Sequence, residues 1–414
     1  MRSNVVLAAA LALTLGLVVS TGRSAPSAPV QSHRAVPVPV VHPAALRAGQ
    51  KPPQFVIVSF DGAGDHQKWA FWRDVARRSG MRFTGFLSGV YLLDRAHRTD
   101  YTGPGHAPGA SSLGGWNTPA EVRTLIKDLD AAYAAGMEIG THYNGHFCAG
   151  AEPSANAWTT ADWSAELAEF FRFWRSHRDL TVPASSVRGG RTPCLEGRPE
   201  QLRPALKAAG FSYDSSGGSN GIAWPRKDRW GLWEFPLAYV PLDGGGARPG
   251  VLSMDYNFWV KQTGNPPSTR DTRASADQVL RTYRAMYRAA YGGNRAPLVL
   301  GNHFNSWNGN AYTDALARFV EETCRKPDTL CVPYRDVIAW MEAQSPRTLA
   351  ALQARRPSTP SANRLRDRRR AGRPGAAAPP ARTPGAAAGA GPARPPRAGR
   401  RSPASSRPAP APCG

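Results

Sequence analysis

Apolar positions along the chain fall into two rhythms that alternate. Phe55-Val56-Ile57-Val58-Ser59-Phe60 is a short, nearly continuous apolar run rich in β-branched and aromatic residues, as a buried strand requires. From His66 to Arg78 the apolar positions are Trp69, Trp72, Val75 and Ala76, at helical spacing. Thr118-Pro119-Ala120-Glu121 has the form of a capping box with Pro at the first helical position, and the stripe Val122, Leu125, Ile126, Leu129, Tyr133 follows before Gly136. Met137 to Thr141 reads as a strand. Trp163, Leu167, Phe170, Phe171 and Trp174 mark another amphipathic helix. Ser275 with Gln278 is read as the cap of a helix reaching about Tyr291, and Pro297-Leu298-Val299-Leu300 as a buried strand after it. Strands alternating with helices predict parallel strands with helices outside, an α/β class of fold. No internal repeat interrupts the pattern.

The two ends depart from it. Met1 and Arg2 precede an apolar run from Val5 to Val19 and then small and polar residues, the form of a secretory signal peptide over 1–24. That run is short for a membrane span, no later stretch replaces it, and no Cys stands at its end to accept a lipid. A Pro-rich spacer over 25–53 follows, and the body is assigned to 54–344. Residues 345–414, rich in Arg, Pro, Ala and Gly, are expected to be a disordered tail. Between Arg347 and Arg407 there are 15 Arg against the single Asp367, so 15 − 1 = +14 of the formal +22 lies there. Such a tail attracts anionic polymer by non-specific electrostatics. For a secreted or wall-associated chain the expected polymer is of the cell wall, a solvated linker with no dedicated partner is the other use of such a tail, and no specific nucleic acid is expected.

A barrel of parallel strands carries its chemistry on residues that follow the strands. Three clusters stand there. Ser59-Phe60-Asp61-Gly62-Ala63-Gly64-Asp65 places a carboxylate at a strand end, followed by small residues. His142 and His146 in Thr141-His142-Tyr143-Asn144-Gly145-His146 can converge on one ion, across a helical turn or around a tight loop. Leu300-Gly301-Asn302-His303 ends another strand in an imidazole. Taken singly, the Asp could be a turn residue or helix cap and His303 a histidine satisfying a loop carbonyl. Arg191, in Arg191-Thr192-Pro193-Cys194, has a planar fork able to hold a carboxylate.

Five cysteines, Cys148, Cys194, Cys324, Cys331 and Cys413, enter an oxidising compartment if the chain is exported. Cys324 and Cys331 are close enough in sequence for a short clip. A bridge from Cys148 to Cys194 would tie together two loops that carry motifs, and two buried free thiols are the other arrangement open to that pair. Cys413 is left over.

In this order the segments resemble the polysaccharide deacetylase family, carbohydrate esterase family four, and most closely its chitin deacetylase-like branch, over about Gln54 to Gln344. The family's Thr/Ser-Phe-Asp-Asp-Gly motif is matched by Ser59-Phe60-Asp61-Gly62, its HxxxH motif by His142 to His146, and its Arg-x-Pro-Tyr motif by Arg191-Thr192-Pro193-Cys194. Gly210 to Ser216 and the closing Leu300 to His303, with Arg295 to Leu298 before it, complete the likeness. The resemblance implies a distorted (β/α) barrel of about seven strands and removal of N-acetyl groups from an amino-sugar polymer such as peptidoglycan or a chitin-like glycan. It implies zinc or another divalent metal on His142 and His146, Asp61 as base, Arg191 orienting Asp61, and His303 as acid. The backbone N–H of Cys194 would face the oxyanion. Trp259 and Trp307 are candidate surfaces for sugar rings, with core packing as their other use. Two positions depart from the pattern. Gly62 stands where the family has a metal-binding Asp, which leaves open Asp65 from the same loop, the favoured substitute, another oxygen, or a site of low metal affinity; Cys194 stands where the family has Tyr. A glycan-binding protein that kept the groove and lost catalysis is the alternative function.

Overall fold

The computed structural model describes residues 41, 43–244 and 250–360. The expected signal peptide, most of the tail and Cys413 lie outside the described residues.

Strand β1 (Gln54–Asp61) is buried at every position, which its unbroken apolar run required. It is the centre of the sheet. Strands β2 (Thr84–Leu87), β3 (Glu138–Thr141), β4 (Gly189–Gly190) and β5 (Tyr213–Asp214) follow it on one side. Next in the chain come β6 (Gly218–Asn220), β7 (Arg226–Lys227), β8 (Trp233–Glu234), β9 (Leu237–Val240), β10 (Val251–Leu252), β11 (Leu298–His303) and β12 (Thr329–Cys331). The main order is β11-β1-β2-β3-β4-β5-β8-β7, and β12 pairs with the start of β1. From β11 to β8 the seven strands form six parallel pairs, and β7 is antiparallel to β8.

The sheet curls round on itself. β9 continues the line of β8, pairs with β6 and β10, and the residue after Ser253 closes the wall through a parallel bridge, Met254 to Gly301 of β11. Ser253 reinforces that seam: its Oγ donates to Val299 O at 2.9 Å and accepts from Ala238 N at 2.9 Å. The expected distorted barrel of about seven strands is therefore present, and closure depends on a narrow seam.

Helices α1 (His66–Ser79), α2 (Pro119–Ala134), α3 (Thr160–Ser176), α4 (Pro199–Ala208), α5 (Asp255–Thr263), α6 (Thr272–Gly292), α7 (Trp307–Thr323), α8 (Tyr334–Glu342) and α9 (Pro346–Gln353) complete the body. Trp69, Trp72, Val75 and Ala76 are the buried stripe of α1, and the capping box at Thr118 and Glu121 is formed at α2. The cap of α6 is Asp271, whose carboxylate accepts from Ala274 N, while Ser275 lies buried inside the first turn. Ser and Asp cap equally well, and the earlier acid takes the role because the helix begins three residues before Ser275.

The boundary read at Gln344 needs correcting. Residues 345 to 360 are ordered: α9 is capped by Ser345, Leu352 is buried, and Ser358 pairs with Ile222 in both directions at 2.8 and 2.9 Å. Composition hid this, because a short helix needs few apolar residues when the barrel offers them a partner. At the other end Gln344 holds Leu46 N and Ala44 O, so part of the spacer is fastened to the body. Among the described residues no helix is long and apolar enough to cross a membrane.

Candidate active site

The register assembles the site. Asp61, last in β1, is paired directly with His303, last in β11. His142 follows Thr141, which pairs with Gly190, so the imidazole stands beside Arg191 on the next strand. All are at the carboxyl ends of parallel strands, the end where such barrels hold chemistry. Gly190 is needed there because a Cβ would stand 2.6 Å from Thr141 O.

Arg191 is fully buried and is the hub. Its Nη1 donates to Asp61 Oδ1 at 2.8 Å, its Nε to Ser215 O at 2.9 Å, and its Nη2 to Ser215 Oγ and Tyr334 OH at 3.0 Å. One oxygen of Asp61 is thus held, and the other, Oδ2, is 3.9 Å from His303 Nε2. Burial pushes the Asp61 carboxyl up, but Arg191, His142 and His303 together outweigh it and hold the acid below its usual range. It is a carboxylate at neutral pH.

His303 is fixed by a residue that sequence reasoning missed. Asp255, first in α5, accepts from the His303 ring at Nδ1 (2.7 Å) and from its backbone N–H (2.8 Å), and is itself buried. Burial lowers the imidazole, yet the charge and hydrogen bond of Asp255, with Asp61 beyond, raise it above its ordinary value. Asp255 follows a short strand as Asp61 does. Recognition of β10 would have exposed it to the same test.

The two candidate metal-binding imidazoles lie on a tight loop, not across a helical turn. Tyr143 and His146 have φ of 60° and 59°, and the rings of His142 and His146 are 5.1 Å apart. His142 Nδ1 donates to Arg191 O at 2.7 Å, which leaves Nε2 with its lone pair. Burial depresses the pKa of His142 to about 4 and that of His146 to about 3, so both rings are neutral donors at physiological pH. Two such nitrogens suit zinc or a similar ion. The loop is held from behind by Glu166 of α3, whose carboxylate accepts from Asn144 N at 2.8 Å and from Tyr101 OH at 3.0 Å.

A third protein donor is not supplied by the residues expected to give it. Gly62 has no side chain and a φ of 62°. Asp65 is exposed, and its carboxylate accepts from Lys68 N at 2.7 Å as the N-cap of α1. Its assignment as a metal ligand is therefore corrected: the orphan N–H groups of a helix start claim the nearest acid.

Cys148 and Cys194 are joined, as are Cys324 and Cys331. The first bridge ties the His146 loop to the turn after Arg191, where Cys194 takes φ 53°. Trp259 and Trp307 are half-buried and stacked at 4.9 Å with 20° between planes, and the Trp307 ring is 4.9 Å from His303. They form a flat aromatic shelf at the mouth of the site.

No family model matches the chain, and no curated protein matches it. Solved structures similar to it include one described as a polysaccharide deacetylase from Mycobacterium smegmatis, 15% identical over 78% of this chain and 99% of that one, with a TM-score of 0.46. Another described as a polysaccharide deacetylase, from Pseudomonas aeruginosa, is 12% identical over 70% and 92% at a TM-score of 0.44, and an allantoinase is 13% identical over 70% and 91% at 0.43. The chemistry of the chain is accordingly read from its own side chains. In the order of its motifs the chain resembles the polysaccharide deacetylases of carbohydrate esterase family four.

Proposed function

We propose that this chain is a hydrolase that uses a divalent metal ion to remove N-acetyl groups from an amino-sugar polymer, a peptidoglycan or chitin-like glycan. The observation that carries the reading is the meeting of Asp61, Arg191, His142, His146 and His303 at one mouth of the barrel, with Asp61 held by Arg191, His142 by Arg191 O and His303 by Asp255.

His142 and His146 would hold zinc or a similar ion, which when bound polarises the acetamide carbonyl and makes a water molecule more acidic. Asp61 keeps one oxygen on Arg191 and uses Oδ2 to take a proton from the attacking water. Arg191 also keeps Asp61 charged. His303, whose pKa Asp255 raises against burial, gives its proton to the departing amine. The N–H of Cys194 would face the oxyanion, and the Trp259–Trp307 shelf would receive a sugar ring.

Two disulfides support a place outside the reducing cytoplasm, secreted or bound to the wall. The Arg-rich tail would hold anionic wall polymer. Wall retention that is unaffected by salt or by deletion of residues 361–414 would remove that part of the reading.

A second reading, a glycan-binding protein without catalysis, is favoured by one observation: an ion on the two imidazoles would have neither Gly62 nor Asp65 to complete its ligands. One experiment separates the two. Metal content and acetate release from N-acetylglucosamine oligomers are measured for the chain and for Asp61→Asn and His142→Ala. The hydrolase reading expects metal in the parent, and acetate release falling by about a hundredfold or more in either variant. Glycan binding with no acetate release under any divalent metal supports the second reading.

A further inference from the structure

The Cys148–Cys194 disulfide lies beside His146. His146 Nδ1 is 3.5 Å from Cys148 Sγ, and ligand-type atoms of His146, Cys148 and Cys194 all lie within 4.8 Å of one another. Among the described residues this is the group of its kind that includes sulfur, and the Cys324–Cys331 bridge has no such neighbour. Joined as cystine, the two sulfurs offer no thiolate.

We propose that reduction of the Cys148–Cys194 bridge by a dithiol creates a binding site for a borderline-soft divalent ion, zinc foremost, with His146 as nitrogen ligand, both cysteines as thiolate ligands and a fourth position open to water. The proposal extends the metal-dependent reading, because His146 belongs to both ligand sets. The reduced set has three protein donors of its own and leaves His142 out.

The step balances. One dithiol delivers two electrons and two protons, the S–S bond breaks, two S–H groups form, and the reductant leaves as its own disulfide. Binding of a dication then releases those two protons, so two thiolates and one neutral imidazole leave the site with no net charge. Neutrality matters beside a buried Arg191.

Cutting the bridge does not release the two loops. Glu196, two residues after Cys194, accepts Ala149 N on both carboxylate oxygens at 3.1 and 3.0 Å. His142 Nδ1 still holds Arg191 O at 2.7 Å, and Arg191 N still holds Thr141 O at 3.1 Å. The sulfurs therefore stay close. Zn–S bonds of about 2.3 Å in tetrahedral geometry put two sulfurs about 3.8 Å apart, a separation that side-chain rotation reaches. The Cα–Cα distance of 6.0 Å requires no backbone movement for it. Both cysteines are half-buried, so reductant and ion have access.

The test uses the full chain freed of metal, oxidised or reduced with a phosphine, and titrated with Co2+ without air. A thiolate-to-cobalt charge-transfer band should appear in the reduced chain alone, at one ion per chain, and be displaced by zinc. Zinc should bind the reduced chain on the order of a hundredfold more tightly than the oxidised one. Cys148→Ser and Cys194→Ser should each weaken the band by half or more, their combination should lose it, and a Cys324→Ser/Cys331→Ser double variant should keep it. His146→Ala, whose bridge can still form, should weaken cobalt binding by about tenfold or more after reduction. In the parent chain, which needs no variant to fold, zinc should protect Cys148 and Cys194 from alkylation as read by peptide mass. A reduced chain without the band, or a band undiminished in the Cys148→Ser/Cys194→Ser variant, overturns the proposal. Acetate release by the oxidised chain is scored separately: release without the band sinks this site alone, and the band without release from either state sinks the hydrolase reading alone.

Discussion

Asp255 grips His303 at two points, accepting its ring Nδ1–H at 2.7 Å and its backbone N–H at 2.8 Å, so that Nε2 is turned towards Asp61. A histidine whose folded pKa is raised is protonated over a wider range and loses its proton as pH rises through that raised value. As general acid it should therefore set the alkaline limb of the pH–rate profile, above the range of an unperturbed imidazole. The acid limb should lie low, because Asp61 is depressed and His142 and His146 accept protons only near pH 4 and 3.

Asp255→Asn removes the charge while keeping an acceptor. The alkaline limb is expected to move down by about one pH unit or more, with kcat falling about tenfold to a hundredfold. A pH profile of acetate release checks this. An alkaline limb that stays in place would show that His303 is not the acid.

Gly62→Asp tests the missing ligand. A Cβ there would meet only Tyr91 OH at 3.8 Å, so space is not limiting, while φ of 62° makes any side chain strained and Asp less so than most. The variant should bind zinc about tenfold or more tightly in the oxidised chain, at a stability cost of about 1 kcal/mol. Gly62→Ala should show the cost without the gain. Calorimetric zinc titration and thermal unfolding of both variants separate the two effects.

How much of this was legible depended on whether a residue's partner is local. Phe55 to Phe60 announces β1 because the strand is buried at every position and so is nearly all apolar, and Asp61 stands at its end. The HxxxH pair was legible as a pair, while its loop geometry was not, since Glu166 and Tyr101 hold it from 20 or more residues away. Asp255 was hidden because β10 is only Val251–Leu252, too short to show a period. Asp65 was misread for the opposite reason: its competing use, three residues of backbone at the start of α1, is local and stronger than a distant ion. α9 was lost in the Arg- and Pro-rich composition around it, although Ser345-Pro346 is a helix-start signal.

Glu166 gives a stability test of the loop. Burial raises its pKa to about 7, above its model-peptide value, so the sign follows directly. The folded state retains a proton that the unfolded chain has lost, and stability from this group is fully present below about pH 4.5 and is lost as pH rises through about 7. The full effect is about 3 kcal/mol. Glu166→Gln cannot ionise, so its stability relative to the parent should increase between pH 5 and pH 8, measured by denaturant unfolding with the disulfides intact. A difference that does not change with pH would mean that the carboxyl ionises freely in the fold.

Trp259 and Trp307 occupy unequal places on the shelf, which makes their variants distinguishable. Trp307 touches both His303 and Trp259, whereas Trp259 stacks on Trp307 and donates its indole N–H to Ser268 O at 2.8 Å. Loss of an aromatic face that only receives a sugar ring costs about 0.5–1.5 kcal/mol in ground state and transition state alike, so Trp259→Ala should raise KM about threefold to tenfold with kcat nearly unchanged. Trp307→Ala also frees the imidazole beside it and should lower kcat as well. The contrast should grow with oligomer length, since a longer glycan can reach the shelf from the reacting sugar and a single sugar cannot. Equal kinetics for both variants on all substrates would place the two indoles in the core packing of α5 and α7 and remove them from the substrate groove.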